Sequence, residues 1–361
     1  MDVSDLITRG NILRDQNDFE GATAAYAEAC IKDPDCYSAF NNYGNLMRET
    51  LRPRAAIPFL QAACTMQFAE AHAPFNLAVA YLSIEDYPNG WKYYESRWDY
   101  EHMKGMLPQL EAPRWSGEDL QGKTIFVCGE QGFGDIIQYA RFLPYLKVMG
   151  ASKVVLLQHG SLHELLGQME CVDTFTNMPE EGVATESDYW LGMISLPYYI
   201  SLAPAYAKAL FPCNLKKIVG SEGYLDAIPS NIPKKIGINW STSKGILHYV
   251  RTLHPEKVLE IIGDDAYSFN PEEDKFWTLL PNDGWKQNWA KTACHLKALK
   301  GLVTVDTGIA HLAGALGVKT IVIMPRKEFK CWRWKHGTWY DSVVTVEEDE
   351  MHKIPELIRR M

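Results

Sequence analysis

From Lys123 onward, short apolar runs alternate with longer mixed stretches, and they do so in two tandem sets. The first set reads TIFVCG, a helical stretch over about 134–149, KVVLLQ, a second helical stretch over 161–169, VDTFT and DYWLGM. The second reads KIGINW, a helix near 255–262, AYSFN, a helix near 289–299, LVTV, a helix at 309–316 and KTIVIM. Apolar runs of this length, bounded by turn residues, are strands buried on both faces. Strands separated by helices pair in parallel, because a parallel crossover needs a helix-length connection. The expected fold class is therefore α/β, with two parallel sheets covered by helices and a ligand crevice along the strand C-terminal ends. The proline-rich stretch 197–229 reads as the link between the sets.

The first hundred residues follow a different rule. Gly10 recurs as Gly44, Ala22 as Ala56 and Ala29 as Ala63, while Leu6, Leu13 and Tyr26 map to Phe40, Met47 and Leu60. Each offset is one tetratricopeptide period, in which small residues let paired helices approach and large ones fill the space between pairs. Pro34 closes the first repeat where that pattern has proline, but Phe68 stands there in the second. A degenerate third unit over about 71–98 keeps Leu77, Ala78, Tyr81 and Tyr94 and puts Gly90 at the small position. The expected domains are 1–100 (helical repeats), 101–228 and 229–361 (one strand–helix set each), with 100–122 as the junction and SGEDLQG as its exposed stretch.

With 361 residues the chain exceeds one ordinary core, and 47% apolar with 22% charged residues is an ordinary globular composition. A net charge of -9 argues against a broad nucleic-acid footprint. The opening MDVSDLITRG has no basic segment followed by an apolar run, and no stretch has the apolar length of a bilayer span. A cytoplasmic protein without a membrane span is expected. Its eight cysteines match no zinc spacing and read as reduced packing thiols.

Three loops carry candidate chemistry. In CGEQGFGDIIQYARF, residues 128–142, a strand runs through a Gly-rich turn into a helix. Gly132 and Gly134, with Gln131 between strand and helix, let backbone approach a ligand, and Asp135 either faces that ligand or caps the helix. The turn has neither the dinucleotide GxGxxG order nor a P-loop lysine. In VTVDTGIAHLAGALG a strand ends at Asp306, and Thr307 and Gly308 open a helix with His311 in its first turn. Such a start attracts anions, although a His packed beside a strand is the commoner meaning of the local pattern. In GINWSTSKGILHYVR, hydroxyls of Ser241, Thr242 and Ser243 lie near Lys244 and Arg251, a composition that suits a diphosphate, although a solvated polar loop is its commoner meaning.

The sequence resembles bacterial and phage tetratricopeptide-repeat proteins fused to a glycosyltransferase region. That region is similar to the ADP-heptose lipopolysaccharide heptosyltransferases and more distantly to O-linked N-acetylglucosamine transferases. The resemblance rests on GWKYYESRW at 90–98, on 113–146 from PRWSGEDLQGK to FLPYL, on VDTGIAHLAGALG at 305–317, and on CWRWKHGTWYDSV at 331–343. It implies a GT-B fold, two Rossmann-like domains facing a cleft, with the nucleotide-sugar donor held mainly by the second. It implies Asp135 as base, Asp306, Thr307, Gly308 and His311 at the donor phosphates, and Ser241, Thr242 and Lys244 in the hydroxyl loop. The repeat-bearing relatives read W-A-G and S-L-Q where this chain has Trp240-Ser241-Thr242 and Ser268-Phe269-Asn270, both near the donor pocket.

Asp135 is then expected to take the acceptor proton, and Lys244, Arg251, Thr307, His311 and the helix start to stabilise the leaving diphosphate. No cofactor and no metal is expected, since no Asp-x-Asp stands at a strand end. Glu273, within an acidic run at 272–274, is a candidate for donor ribose hydroxyls. Arg333 is a candidate for the diphosphate or for an interdomain salt bridge, and the tryptophans around it for core. The expected partners are a nucleotide-sugar donor, an acceptor of open identity, and a protein bound by the repeats. A non-catalytic adaptor and a UDP-sugar epimerase are the alternatives; the intact Asp135 and DTGIAH speak against the first, the repeats and WSGEDLQGK against the second.

Overall fold

In a computed structural model the described residues are 1–66, 72–100, 103, 111–177, 187–202, 225–242, 251–270, 275–325, 331–335 and 339–361. Lys244 and Glu273, together with Ser243, Cys213 and Phe68, lie outside them. The chain divides into two compact units, Met1–Leu107 and Pro108–Met361.

The first unit is a run of paired helices: α1 (Val3–Asp15) with α2 (Phe19–Lys32), α3 (Tyr37–Glu49) with α4 (Pro53–Thr65), and α5 (His72–Ser83) with α6 (Tyr87–Tyr94). Asp2, Asp18 and Asp86 cap the starts of α1, α2 and α6 through their side chains. Gly10 packs on the Tyr26 ring, and a Cβ at Gly44 would fall 2.6 Å from Leu60 Cγ. The small and large residues that recur together in sequence are thus partners across each pair. In the third pair the roles are exchanged: Gly90 is on the second helix and meets Leu82 on the first. The turns inside the pairs place Asn17, Leu51 and Glu85, each 34 residues after the last, at φ of 62°, 59° and 64°. Left-handed backbone at a leucine and a glutamate is costly, so the turn geometry is imposed by the packing of the helices around it.

The second unit holds two parallel sheets. The first comprises β1 (Thr124–Cys128), β2 (Lys153–Leu157), β3 (Thr174–Thr176) and β4 (Tyr189–Gly192), in the order β3-β2-β1-β4. The second comprises β5 (Ile236–Asn239), β6 (Ala266–Ser268), β7 (Thr278–Leu279), β8 (Gly301–Val305), β9 (Thr320–Met324) and β10 (Val343–Glu347), in the order β10-β9-β8-β5-β6-β7. Strands β8 and β9 are buried along their whole length, as their unbroken apolar runs require. Ile236, Ile238, Val303, Val305, Ile321, Ile323 and Val346 form the centre of that sheet's core.

The helix expected over 134–149 is broken in two. Helix α7 (Phe133–Ala140) ends in a tight turn, with the amides of Phe142 and Leu143 bonding back three residues, and α8 (Pro144–Val148) restarts at Pro144. Proline has no N–H to continue α7 but fits the first turn of a new helix. The stretch at 161–169 is a 3-10 turn followed by the single-turn helix α9 (His163–Leu166). Residues 113–115 are not a free junction: Trp115 donates to Trp190 O and Trp190 to Pro113 O, extending the sheet past β4, and Trp115 is buried. The stretch 197–229 begins inside helix α10 (Leu196–Leu202), and most of the remainder lies outside the described residues. The later helices are α11 (Pro255–Ile262), α12 (Trp289–Ala298), α13 (Gly308–Ala315), α14 (Trp332–Lys335) and α15 (Ile354–Arg359).

Candidate anion-binding active site

Both sheets reverse their strand order at one point, between β1 and β4 in the first and between β5 and β8 in the second. At such a point neighbouring crossovers run to opposite sides and leave a crevice at the strand C-terminal ends. Strand β1 leads into the Gly-rich turn, β5 ends at Asn239, and β8 ends just before Asp306. The three ends border one cleft of about 590 Å³. Gln131, Gly132, Gly134, Asp135, Ser241, Thr242, Arg251, Asp306, Thr307, Gly308, His311 and Arg333 all line it. Every candidate that falls within the described residues is brought to this one place.

The two glycine-opened helices meet across the cleft. A Cβ at Gly134 would lie 2.9 Å from Gly308 Cα and 3.1 Å from His311 Cδ2, so the first turns of α7 and α13 touch backbone to backbone. The first-turn N–H groups of each helix have no intrahelical acceptor, and two positive dipole ends face one space. Arg251 and Arg333 border the same space. Two helix starts and two guanidinium groups suit a ligand with at least two negative charges. Gln131, at φ 62°, holds the turn before α7 in the left-handed region, a strained backbone of the kind that clusters at functional sites.

The acidic groups are already engaged. Asp135 Oδ1 accepts from Arg333 at 2.8 Å, and its Oδ2 accepts the Gly132 N–H at 3.1 Å. The two roles weighed for Asp135 therefore coexist, because it caps α7 and faces the cleft. Of the two roles weighed for Arg333, the structure shows an ion pair that joins α14 to α7 across the unit. Asp306 accepts from Trp334 Nε1 at 2.8 Å and pairs with Arg251 at 3.5 Å. Asp306 is buried and holds Arg251 at the rim; a carboxylate oxygen accepts hydrogen bonds and so makes a poor direct partner for a phosphate oxygen.

His311 is buried, stacked on Trp334 at 4.7 Å, with Nδ1 3.2 Å from Tyr340 Oη. Burial above all, and then the charges of Arg333, Arg141 and Arg251, push its pKa well below the usual histidine value. The ring is neutral; when the Tyr340 hydroxyl donates to Nδ1, the proton sits on Nε2 as a donor, and when Nδ1–H donates to Tyr340, Nε2 is an acceptor. Tyr340 itself lies on Gly314, which has no side chain to obstruct it. Trp332, Trp334 and Trp339 are all core residues.

Several contributors had no role assigned to them in the sequence. Arg141, buried, donates to Trp339 O at 2.8 Å and lies 4.6 Å over the Tyr340 ring, which locks 339–340 against the end of α7. Asn270 accepts from Trp240 N at 3.1 Å and from the Ser241 hydroxyl at 3.5 Å, so the two departures from the relatives' pattern are in contact with each other. Phe133, Trp289, Trp285 and Phe269 form aromatic pairs along the cleft, Phe133 with Trp289 at 5.6 Å and Phe269 with Trp285 at 5.5 Å. Only the aromatic residues at the helix and loop starts signalled this wall in the sequence. Among the described residues no group of three or more His, Cys, Asp or Glu is placed to hold a metal ion. None of their helices is long and apolar enough to cross a membrane.

No protein-family model matches the sequence. Protein FlbA of Caulobacter vibrioides is 29% identical over 140 residues, 38% of this chain, and the match spans 24% of that protein's length. Among solved structures, the MamA protein aligns with 29% of this chain and 55% of its own, at 19% identity and a TM-score of 0.26. A glycosyl transferase family 9 protein from Veillonella parvula aligns with 68% of this chain and 91% of its own, at 11% identity and a TM-score of 0.44. The ADP-heptose LPS heptosyltransferase II of E. coli aligns with 66% of this chain and 99% of its own, at 11% identity and a TM-score of 0.40. None of these likenesses is close enough to assign an activity.

Proposed function

We propose that the chain is a glycosyltransferase that moves a sugar from a nucleotide-sugar donor to an acceptor hydroxyl, without a metal ion or other cofactor. The observation that carries this reading is the meeting of two helix starts at Gly134 and Gly308, with Arg251 and Arg333 beside them and the carboxylate of Asp135 in the same cleft. It fits the GT-B arrangement implied by the sequence motifs.

Transfer breaks the bond between the sugar's anomeric carbon and the diphosphate oxygen, and the electron pair leaves with the diphosphate. A bond forms from the acceptor oxygen to that carbon, and the acceptor proton passes to Asp135. The charge that builds on the diphosphate meets Arg251, Arg333, His311 in its Nε2–H tautomer and the two helix starts, the second opened by Thr307 and Gly308, all in place before the reaction begins. Lys244 adds a further cation in this reading. While Arg333 holds Asp135, the Oδ1 oxygen is engaged and is not offered to an acceptor hydroxyl. An incoming diphosphate competes for Arg333 and releases it. The aromatic wall gives the nucleoside a stacking surface, and Glu273 is reserved for ribose hydroxyls. The helical repeats of the first unit, read as tetratricopeptide-like, present the acceptor or a protein partner.

Incubation with a panel of UDP-, GDP-, ADP- and CDP-sugars in excess chelator tests the reading. Slow release of a nucleoside diphosphate into water is expected, faster when an acceptor is present. An isomeric sugar nucleotide, no turnover of any donor, or turnover only after manganese or magnesium is restored would each count against it.

A further inference from the structure

Asn239 closes β5, lines the cleft and is only 3% exposed. Its side-chain amide is oriented by hydrogen-bond accounting. Thr304 Oγ1 donates to Val305 O at 2.9 Å, and Thr307 Oγ1 donates to the same carbonyl at 3.2 Å. Each hydroxyl has one hydrogen, and both are spent there, or one of them on the other threonine at 3.2 Å. The threonine oxygens therefore meet Asn239 as acceptors, and the asparagine must turn its NH₂ to them, 3.4 Å from Thr304 and 3.2 Å from Thr307. That leaves Asn239 Oδ1 on the other side, buried and with no hydrogen-bond partner among the described residues. A buried carbonyl without a donor is costly, and such atoms are rare unless a ligand supplies the missing bond.

A phosphate oxygen cannot supply it, since it too is an acceptor. The group that satisfies Asn239 is an O–H or N–H, and the cleft that Asn239 borders, shared with the anion site, is where such a group can come from. We infer that Asn239 is a specificity-determining residue that accepts a hydrogen bond from a carbohydrate hydroxyl of the donor, and so distinguishes a phosphorylated sugar from a bare polyphosphate. Sites built to bond a substrate hydroxyl reject analogues lacking it far more strongly than apolar pockets do, because the buried partner is then left unpaired. This inference rests on the nucleotide-sugar reading of the cleft.

The test compares two probes by calorimetry on the full chain: inorganic pyrophosphate, which has no carbon-bound hydroxyl, and whichever of the UDP-, GDP-, ADP- and CDP-sugars binds most tightly. Asn239→Ala is expected to weaken the sugar nucleotide by about tenfold, one lost hydrogen bond of about 1.4 kcal/mol, and to leave pyrophosphate within about twofold. Asn239→Leu, which keeps the volume if the alanine variant melts early, is expected to do the same. Equal losses for both probes would make Asn239 a mere support for Thr307 and overturn the inference, as would no loss for either. Sugar nucleotides that bind the wild type no more tightly than pyrophosphate does would overturn it while leaving the anion site intact. A wild type that binds no pyrophosphate at all would remove the anion-site reading itself, and the inference with it.

Discussion

His311 shows how a single side chain ties the cleft to stability. Burial and three neighbouring guanidinium groups hold its pKa well below 6.5 in the folded chain, whereas in the unfolded chain it takes up a proton near that value. Below about pH 6.5 the unfolded state thus binds more protons, and the contribution of a neutral His311 is lost at up to about 1.4 kcal/mol per pH unit. Denaturant melts at about pH 7 and pH 5 should show the wild type losing more stability than His311→Gln over that interval; parallel losses would mean that the ring is protonated in the fold. The Asp135–Arg333 pair gives a second test. If a diphosphate competes with Asp135 for Arg333, then Asp135→Asn should tighten pyrophosphate binding by about three- to tenfold. In an Arg333→Ala background the same change should do nothing, and a tightening there would place the effect elsewhere. Asp135, Thr307, Gly308 and His311 were legible as candidates because polar and glycine residues stand at junctions between apolar strands and helices. The hydrogen-bond roles of Asn239, Arg141 and Asn270 were not, because each depends on a partner at least 30 residues away in the chain.

At the scale of elements, the contact between α7 and α13 sets the geometry of the cleft. The atoms that a Cβ on Gly134 would meet include Gly308 Cα, which is backbone and cannot swing aside. Gly134→Ala should therefore push the two helix starts apart, costing about 1–3 kcal/mol of stability and roughly tenfold or more in pyrophosphate affinity. An alanine variant with wild-type melting and binding would mean that the helices yield freely. The helical pairs offer a test of opposite sign. Leu51 is exposed and held at φ 59°, so Leu51→Asn, which tolerates that region, should raise the stability of the first unit by about 0.5–1 kcal/mol. Most strands and helices were readable from periodicity. The division of 134–149 was not, because the apolar pattern continues through the break and only Pro144 marks it. β7 and β10 were also passed over: two exposed residues give no signal, and VVTVE alternates weakly at a sheet edge.

At the scale of the whole molecule, the sequence changes its rule at about residue 100, from one repeating helical unit to strand–helix alternation, and the two compact units divide at Leu107 and Pro108. The functional separation follows from where the cores and the cleft lie. The helical pairs enclose apolar clusters of their own, centred on Leu6 and Ala29, Tyr26 and Leu46, and Leu60 and Leu77. The clusters around Ile238 and Phe126 belong to the two sheets, and among the described residues every one bordering the cleft lies between Gln131 and Arg333. The proposed phosphate recognition should then need nothing from residues 1–107, while the proposed capture of an acceptor or partner needs them. A fragment comprising 108–361 should fold, since it contains both sheets complete with their helices, and it should bind pyrophosphate within about twofold of the full chain. It should hydrolyse the donor in water at a similar rate but transfer sugar more slowly to any macromolecular acceptor, through a raised KM for that acceptor with donor KM unchanged. Circular dichroism and calorimetry establish folding and donor-site integrity first, so that a transfer defect can be read. A folded fragment that transfers to a macromolecular acceptor as well as the full chain does would assign the helical repeats a role other than acceptor binding. One that is folded but has lost pyrophosphate binding would mean that the anion site draws on the first unit after all.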